Sequence, residues 1–406
     1  MYKGKTVGVV VTAYDEDAFV GGVIETVPDF VDRIYAVDDA SPDDSWDVIQ
    51  EVAAEINARE SVPPEVVAAD GGPDLGSGVQ AGGDADRDDR RVVPIRHEEN
   101  RGYGGAVKTG YRRAAADGID VVAVLNGDGQ MDPDILDRIV DPVATGEADY
   151  AKGNRLLTAE DREGMSTFRF VGNAMLTGLS KFATGYWTIG DPQNGYTAIS
   201  RETIESLDLE SITDRYGFLN HILTHLNVDD RRVADVAMSA VYGDEESSIR
   251  YTTFVRFVSL LLLRSFLWRL ERQYVVEGFH PAALFYATGA TGLAGGVVGT
   301  LAACWRGARA EDSNALAGVL TGFVAVLLGL VALGIAIAMD ATENEPLETT
   351  RYEYRGEAAT SDEESAEQRG AHEDGCDPGE WTEPGTFDPH PDSSEAADGL
   401  AGEALE

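Results

Sequence analysis

The run Val121-Val122-Ala123-Val124-Leu125 breaks abruptly into Asn126-Gly127-Asp128-Gly129-Gln130-Met131-Asp132-Pro133. A short, valine-rich run bounded by glycine reads as a buried strand. In open α/β sheets, ligands bind beyond the carboxyl ends of the strands, where this turn presents Asp128 and Gln130. A carboxylate and an amide carbonyl two residues apart can hold a hard divalent cation against phosphate oxygens. An Asp-Gly turn is also an ordinary way to end a strand, so the turn alone leaves both readings open.

Around this turn the chain alternates. Thr6–Val11, Ile34–Val37, Val92–Ile95 and Val121–Leu125 read as strands. Segments near Ala18–Val27, Ser45–Ala58, Gly104–Asp117 and Pro133–Ala144 read as helices, with Ser41–Asp44 as turn and cap before the second. Asp149–Lys152 adds a short strand, Met165–Thr184 a helix, and Tyr196–Ile199 and Val233–Tyr242 further strands. The alternation predicts an α/β domain over residues 1–250 with a mostly parallel sheet. Residues 59–91 interrupt the rhythm. Their six glycines and several acids, without periodic apolar residues, predict a flexible acidic insertion.

The C-terminal third has a different character. Ala282–Cys304 is 23 residues long and Ala315–Met339 is 25, neither with a charge. At about 1.5 Å per residue each can cross a hydrocarbon core of roughly 30 Å. Neither has the polar face of a soluble helix, so two transmembrane helices are expected at 282–304 and 315–339. The apolar stretch Phe254–Leu270, punctuated by Arg256, Arg264 and Arg269 with Arg272 beyond, predicts an interfacial helix over 251–273. Five arginines lie between Arg250 and Arg272, against Arg306 and Arg309 in the loop. That bias places the N-terminal domain in the cytoplasm, and two spans return residues 340–406 there. Met1-Tyr2-Lys3-Gly4-Lys5 carries no signal-peptide pattern. The expectation is a multi-pass cell-membrane protein with a disordered acidic tail.

Charge excludes one class of partner. The formal charge is -40, from 72 acidic and 32 basic residues, and only five residues are lysine. The tail's 21 acids and three arginines account for -18 of it. An acidic, lysine-poor surface repels nucleic acid and suits a high-salt cytoplasm, where self-repulsion is screened. Cys304 and Cys376 and the six histidines show no metal-ligand spacing and no disulfide framework.

Four clusters fall after strands. Thr12-Ala13-Tyr14-Asp15-Glu16 could stack a base on Tyr14 and accept from a ribose, or form an acid-rich helix start. Val37-Asp38-Asp39-Ala40-Ser41 places two adjacent acids where capping needs one, which favours ligand contact for at least one of them. Asn100-Arg101-Gly102-Tyr103-Gly104-Gly105-Ala106, running on to Val107-Lys108-Thr109-Gly110, permits close backbone approach to phosphate or ribose at a helix start, or is a plain glycine loop. Its spacing is not that of a dinucleotide fingerprint. The fourth is the turn at Asn126–Gln130. Four such turns around one crevice point to a nucleotide-type ligand.

Together these segments resemble the family-2 glycosyltransferases, and within them the membrane-anchored polyprenyl-phosphate (dolichol-phosphate) sugar transferases of haloarchaeal type. Val10–Glu16 resembles the opening nucleotide-binding segment, with Thr12 where Pro is usual. Val37–Ser41 is similar to Val-Asp-Asp-Gly-Ser, and Asn100–Gly110 to Asn-x-Gly-x-Gly. Asn126-Gly127-Asp128-Gly129-Gln130 stands where the family has Asp-x-Asp-x-Gln, with Asn126 replacing the first Asp. Gly153-Asn154-Arg155 resembles Gly-Ser-Arg. Gly190-Asp191-Pro192-Gln193-Asn194-Gly195-Tyr196 resembles Asp-Pro-x-Ser-Gly-Phe. Ser247-Ser248-Ile249-Arg250 resembles a Ser-Lys segment near the membrane. The resemblance covers about residues 5–250.

It implies a GT-A type nucleotide-sugar-binding fold, Rossmann-like in its sheet. It also implies inverting transfer of a sugar from a nucleotide-sugar donor to polyprenyl phosphate, supplying lipid-linked sugar for glycan or protein glycosylation. Donor contacts would come from Ala13, Tyr14, Glu16, Asp38, Asp39, Asn100, Gly102 and Asn126. Mg²⁺ or Mn²⁺ would sit at Asp128 and Gln130, with one carboxylate fewer than usual. Arg155, Arg169, Ser247 and Arg250 would hold the acceptor phosphate, since an arginine fork suits phosphate. Asp128 and Asp191 are the candidate catalytic carboxylates, Asp191 orienting the sugar or an arginine. The partners expected are the donor, the lipid phosphate and the bilayer, and a homo-oligomer is compatible with this reading. One alternative is transfer to a lipid-linked saccharide, whose hydroxyl would need Asp191 as base. The other is a non-catalytic nucleotide-binding membrane scaffold. A processive polysaccharide synthase would want a Gln-x-x-Arg-Trp segment, and Gln273 is followed by Tyr274-Val275-Val276.

Overall fold

The computed structural model describes residues 1–60, 90–155, 157, 167–215, 217–238, 251–276, 278–309 and 314–352. Most of the expected acidic insertion, and the tail beyond residue 352, lie outside them. The N-terminal elements are β1 (Val7–Ala13), α1 (Val20–Glu25), β2 (Arg33–Asp38) and α2 (Ser45–Glu60). After the insertion come β3 (Val92–Arg96), α3 (Tyr103–Ala116), β4 (Val121–Asn126), α4 (Leu136–Ala144) and β5 (Tyr150–Asn154). Then follow α5 (Thr167–Thr184), β6 (Thr197–Ser200), α6 (Arg201–Ser206), α7 (Phe218–Val228) and β7 (Val233–Ala237). The chain closes with α8 (Tyr251–Glu271), α9 (Pro281–Arg309), α10 (Ala315–Asn344) and β8 (Glu348–Tyr352).

The strands form one sheet in the order β3-β2-β1-β4-β6-β5-β7-β8. Every pairing is parallel except those of β6, which runs antiparallel to both β4 and β5. The sheet is covered on both faces, which is why its strands read as continuous apolar runs rather than alternating ones. Within β4, Val121, Ala123 and Leu125 pack into one core cluster and Val122 and Val124 into the other. Helix α3 lies so close to β1 that a Cβ on Gly110 would come within 2.4 Å of Val10. The expected mostly parallel α/β domain is therefore present.

Helix α8 buries Val258, Leu262, Ser265 and Arg269, one stripe at helical spacing, while Phe257, Leu260, Leu263 and Leu267 remain exposed. The arginine that spoiled the apolar pattern lies on the buried stripe for a reason. Fully buried Arg269 makes two bonds of 2.8 Å to the Asp340 carboxylate, and its guanidinium also reaches Phe182 O at 3.1 Å and Gln273 Oε1 at 3.0 Å. Asp340 further accepts from Tyr274, from Tyr286 at 3.0 Å and from Asn344 at 2.9 Å. Asn344 in turn accepts from Asn227 of α7 at 2.8 Å. One buried polar cluster thus joins α5, α7, α8, α9 and α10.

Helices α9 and α10 pack as a hairpin through small residues, Gly292 against Gly329 and Gly296 against Gly322, which let the backbones touch. Both are long and apolar enough to cross a membrane, and only 17% of each apolar window is buried. They extend past the expected spans, α9 to Arg309 and α10 to Asn344. Residues 340–352, expected to open the disordered tail, are instead helical to Leu347 and then form a strand. Beyond the hairpin the chain adds β8 to the sheet beside β7, and Glu348 accepts from Thr188 N at 2.6 Å and from Trp187 N. An acidic composition gave no sign of this strand, because Thr349 and Tyr352 pair through the backbone with a strand more than a hundred residues earlier.

Removing one partner of a buried ion pair strands the other charge, at a cost of about 3–5 kcal/mol. Asp340→Ala and Arg269→Ala should each lower the denaturation midpoint in detergent or vesicles, and the double variant should cost clearly less than the sum. Additive losses would contradict the pairing.

Candidate active site

Register brings the strand-end turns together. Thr12 pairs with Asn126 across β1 and β4, and Ala13 with Asp38 across β1 and β2. Beyond the last pairs, Gly127 N donates to Thr12 O at 2.8 Å, Asp39 N to Ala13 O at 2.9 Å, and His97 N to Asp38 O at 2.9 Å. A cleft of about 510 Å³ opens over these ends. Thr12, Ala13, Tyr14, Glu16, Asp39, Asn100 and Gly102 line one part of it. Asn126, Gly127 and Asp128 form its floor at the end of β4, and Tyr103, Gln193, Arg215, Phe218 and Leu219 close the remainder.

The buried Asp39 carboxylate fastens this rim. Its two oxygens accept the backbone N–H groups of Arg101 at 2.9 Å and Gly102 at 2.7 Å, and one lies 2.6 Å from His97 Nδ1. His97 Nε2 lies 2.9 Å from Thr109 Oγ1 on α3. The end of β2 is thereby tied to the start of α3. Gly102 sits at φ 90, and a Cβ there would come within 2.9 Å of Asp214 O, so this position of the loop requires glycine. Asp38 faces away from the cleft. One oxygen accepts Ser41 N at 3.3 Å and the other lies 3.2 Å from Arg96 Nε, near enough for an ion pair but without hydrogen-bond alignment.

At the floor, Gln130 N donates to Asp128 Oδ1 at 3.0 Å. The Asn126 Oδ1 atom is buried without a hydrogen-bond partner, and so is Gln193 Nε2. Buried polar atoms without partners cost about 1–3 kcal/mol each, so a ligand that supplied partners to these two would be favoured. Tyr103 donates to Gly195 O at 3.3 Å. Burial, with nearby Tyr111 and the Asp128 charge, raises its pKa, so it stays protonated.

Gln193 stands on a turn fixed from below. Buried Lys152 donates to Gly153 O at 3.0 Å, Gly190 O at 2.8 Å and Asp191 O at 2.7 Å. Burial lowers its pKa although Asp235 and Asp191 oppose this. Gly190 N donates to Asp235 at 3.0 Å, and burial raises the Asp235 pKa. Asp191, at φ 40, grips Arg155 through two side-chain bonds of 2.7 and 3.0 Å. Burial alone would raise the Asp191 carboxyl; bonding to Arg155 and the Lys152 charge outweigh it and hold it low.

Of the residues the sequence singled out, Ala13, Tyr14, Glu16, Asp39, Asn100, Gly102, Asn126 and Asp128 line one cleft. Asp38, Gln130, Arg155 and Asp191 are not among its lining residues. The side chain of Arg169, on α5, and Ser247 and Arg250 lie outside the described residues. Sequence reasoning missed Tyr103, Gln193, Arg215 and Phe218 as lining. Gln193 lies inside a segment already noted for its family likeness. Arg215 carried no signal, being a lone arginine on a loop that buried Lys108 anchors through Leu209 O at 2.8 Å and Ile212 O at 2.6 Å. As a metal site, the floor offers the Asp128 carboxylate and the unpartnered Asn126 oxygen. No group of three or more His, Cys, Asp or Glu suited to a metal occurs among the described residues. One carboxylate and one amide oxygen fit Mg²⁺ or Mn²⁺ when substrate phosphates complete the shell.

Residues 56–208 match Glycosyl transferase family 2. The chain is 24% identical over 265 residues to the UDP-N-acetylglucosamine–dolichyl-phosphate N-acetylglucosaminyltransferase of Methanococcus voltae, spanning 64% of this chain and 96% of that protein. It is 30% identical over 172 residues to the polyprenol monophosphomannose synthase of Mycolicibacterium smegmatis, spanning 39% of this chain and 64% of that one. Among solved structures, the UDP complex of glucosyl-3-phosphoglycerate synthase from Mycobacterium tuberculosis aligns at TM-score 0.44 and 20% identity, over 64% of this chain and 80% of that one.

Two stability predictions follow from the rim. Ala40 sits at φ 60, where a Cβ costs about 1–2 kcal/mol, partly offset by the greater unfolded freedom of glycine. Ala40→Gly should therefore stabilise the protein by about 0.5–1 kcal/mol in chemical denaturation, and destabilisation would contradict the strain. His221 Nδ1 accepts Thr213 N at 3.0 Å and must be unprotonated to do so. Burial and the Lys108 charge lower its pKa from 6.5 to about 4, and burial and His221 lower that of His225 to about 4. The unfolded chain takes up these protons first, so this stability is present above about pH 6.5 and lost as pH falls towards 4. The denaturation midpoint should drop across that window, and drop less in His221→Asn, where an amide oxygen can still accept. An equal drop in both would exclude His221 as the cause.

Proposed function

We propose that this protein transfers a sugar from a nucleotide-sugar donor to a polyprenyl phosphate at the cytoplasmic membrane face, supplying lipid-linked sugar for glycan or protein glycosylation. The observation that carries the reading is the joining of two features. A cleft opens over the ends of β1, β2 and β4, its β4 side within the residues that match the family-2 model, and the same α/β domain is bound through α8 to an apolar helical hairpin. The exposed apolar stripe of α8 suits the bilayer surface, and α9 and α10 are the two spans. Both ends of the hairpin attach to the same domain, α9 through α8 and α10 through β8, which supports two crossings that return to the starting side. The names and extent of the relatives support the class of acceptor.

In this reading Tyr14 stacks the base, and Glu16 and Asn100 contact the nucleoside. Asp39 acts chiefly by holding the loop at Gly102 rather than by direct contact, because its oxygens already accept two backbone N–H groups. Asp128 and Asn126 would hold Mg²⁺ or Mn²⁺, which when bound would neutralise the diphosphate leaving group. An acceptor phosphate oxygen attacks the anomeric carbon, the bond to the diphosphate breaks, and the configuration inverts. A phosphate dianion needs no general base. That agrees with Asp191, whose low pKa and grip on Arg155 make it a poor base for a saccharide hydroxyl. Arg155, Arg169, Ser247 and Arg250 remain the candidates for the acceptor phosphate.

Vesicles containing the protein should transfer sugar to polyprenyl phosphate with divalent metal present. Asp128→Ala should lower the rate by at least about 100-fold, the scale of losing one strong electrostatic contact in a transition state. Transfer at the wild-type rate would remove Asp128 from the site. No transfer with any donor, alongside intact nucleotide binding, would favour the scaffold.

A further inference from the structure

We infer that Gln193 is the residue through which the cleft reads the donor's sugar, its side-chain amide N–H donating to a hydroxyl or acetamido oxygen of the hexose. This rests on the transferase reading above. The lining falls into groups by chemistry and by the turn that carries each. Tyr14, Glu16, Asp39 and Asn100 form the group suited to a nucleoside, and Asn126, Gly127 and Asp128 the floor suited to a diphosphate. Apart from residues of the first turn and the glycine loop, the lining that remains is Tyr103, Ala106, Gln193, Arg215, Gly217, Phe218 and Leu219, and the Tyr103 hydroxyl already donates to Gly195 O. The sugar is attached to the diphosphate, so lining not taken by the nucleoside or the diphosphate is what is left to hold it. Gln193 Nε2 is buried there without a partner, whereas Phe218 and Leu219 offer only apolar surface.

The turn beneath Gln193 is built for fixed placement. A buried lysine is an expensive way to hold a loop, yet Lys152 donates all its bonds to backbone carbonyls, two of them in this turn at Gly190 and Asp191. Asp235 takes Gly190 N, Asn194 N donates to Asp191 O at 3.1 Å, and Asn194 Oδ1 accepts Tyr196 N at 3.0 Å. Asp191 is held at φ 40 within it. Gly190, Asp191 and Asn194 around Gln193 are each tied down by hydrogen bonds, while its own amide nitrogen has no partner. A fixed donor discriminates between sugars because a donor left unpaired by the wrong one stays buried and unsatisfied.

The test separates sugar from nucleotide. Full-length protein in vesicles, without lipid acceptor, is titrated with UDP, UDP-glucose, UDP-N-acetylglucosamine, GDP and GDP-mannose. Gln193→Glu, which keeps the shape but removes the donor, and Gln193→Ala are compared with wild type, each checked for an unchanged thermal midpoint. Affinity for the bound nucleotide sugar should fall about 3- to 10-fold, while affinity for the matching nucleoside diphosphate stays within twofold. Equal losses for both ligands, or no loss for either, overturn the inference and leave the transferase reading standing. Failure of wild type to bind any of the five overturns that reading, and the inference with it.

Discussion

The cleft depends on one carboxylate. Asp39 follows β2, is buried, and accepts the backbone N–H groups of Arg101 and Gly102 while meeting His97. A buried anion is tolerated only when its lone pairs are used, and these three donors come from the loop that opens α3 and from the end of β3. The same contact that satisfies the anion therefore fixes the glycine loop over the strand ends. Asn100, Gly102 and the floor at Asn126–Asp128 then face one another across a space that a nucleotide diphosphate would fill.

A chain with five lysines places two of them where water is absent. Lys108 and Lys152 are 2% and 1% exposed, and each gives its bonds to the carbonyls of a loop on the cleft wall. Arg269 does similar work at the base of the hairpin, where Asp340 answers it and Phe182 O accepts from it. In each case a cation neutralises backbone dipoles at a junction between elements, and the geometry of the junction follows from the fork or tripod of donors. The soluble domain and the hairpin are joined by such bonds, and β8 adds a backbone ladder after the spans.

How legible this was depends on the range of the interaction. The strands β1, β2 and β4 were plain because burial on both faces leaves a continuous apolar run, and the turns after them were plain because they are polar and rich in glycine. The hairpin was plain from absence of charge. Tyr14, Asp39 and Asn126 could be picked out because each lies at the end of a strand or in the turn just after it. Arg215, Phe218 and β8 could not. Their positions follow from contacts across the fold, such as that of Lys108 with Ile212, and no local pattern records them. The roles of Asp38 and Asp39 also needed the structure, since only the pleat decides which of two adjacent acids faces the cleft.

The central claim is that the turns after β1, β2 and β4, with the glycine loop, form a single nucleotide-sugar site. Backbone hydrogen exchange of the membrane-embedded protein, with and without a nucleoside diphosphate and divalent metal, tests it directly. The account predicts added protection at residues 12–16, 38–41, 100–105 and 126–130 together, with the sheet edge at β8 unchanged. Protection confined to other segments, or to only one of these turns, would contradict it.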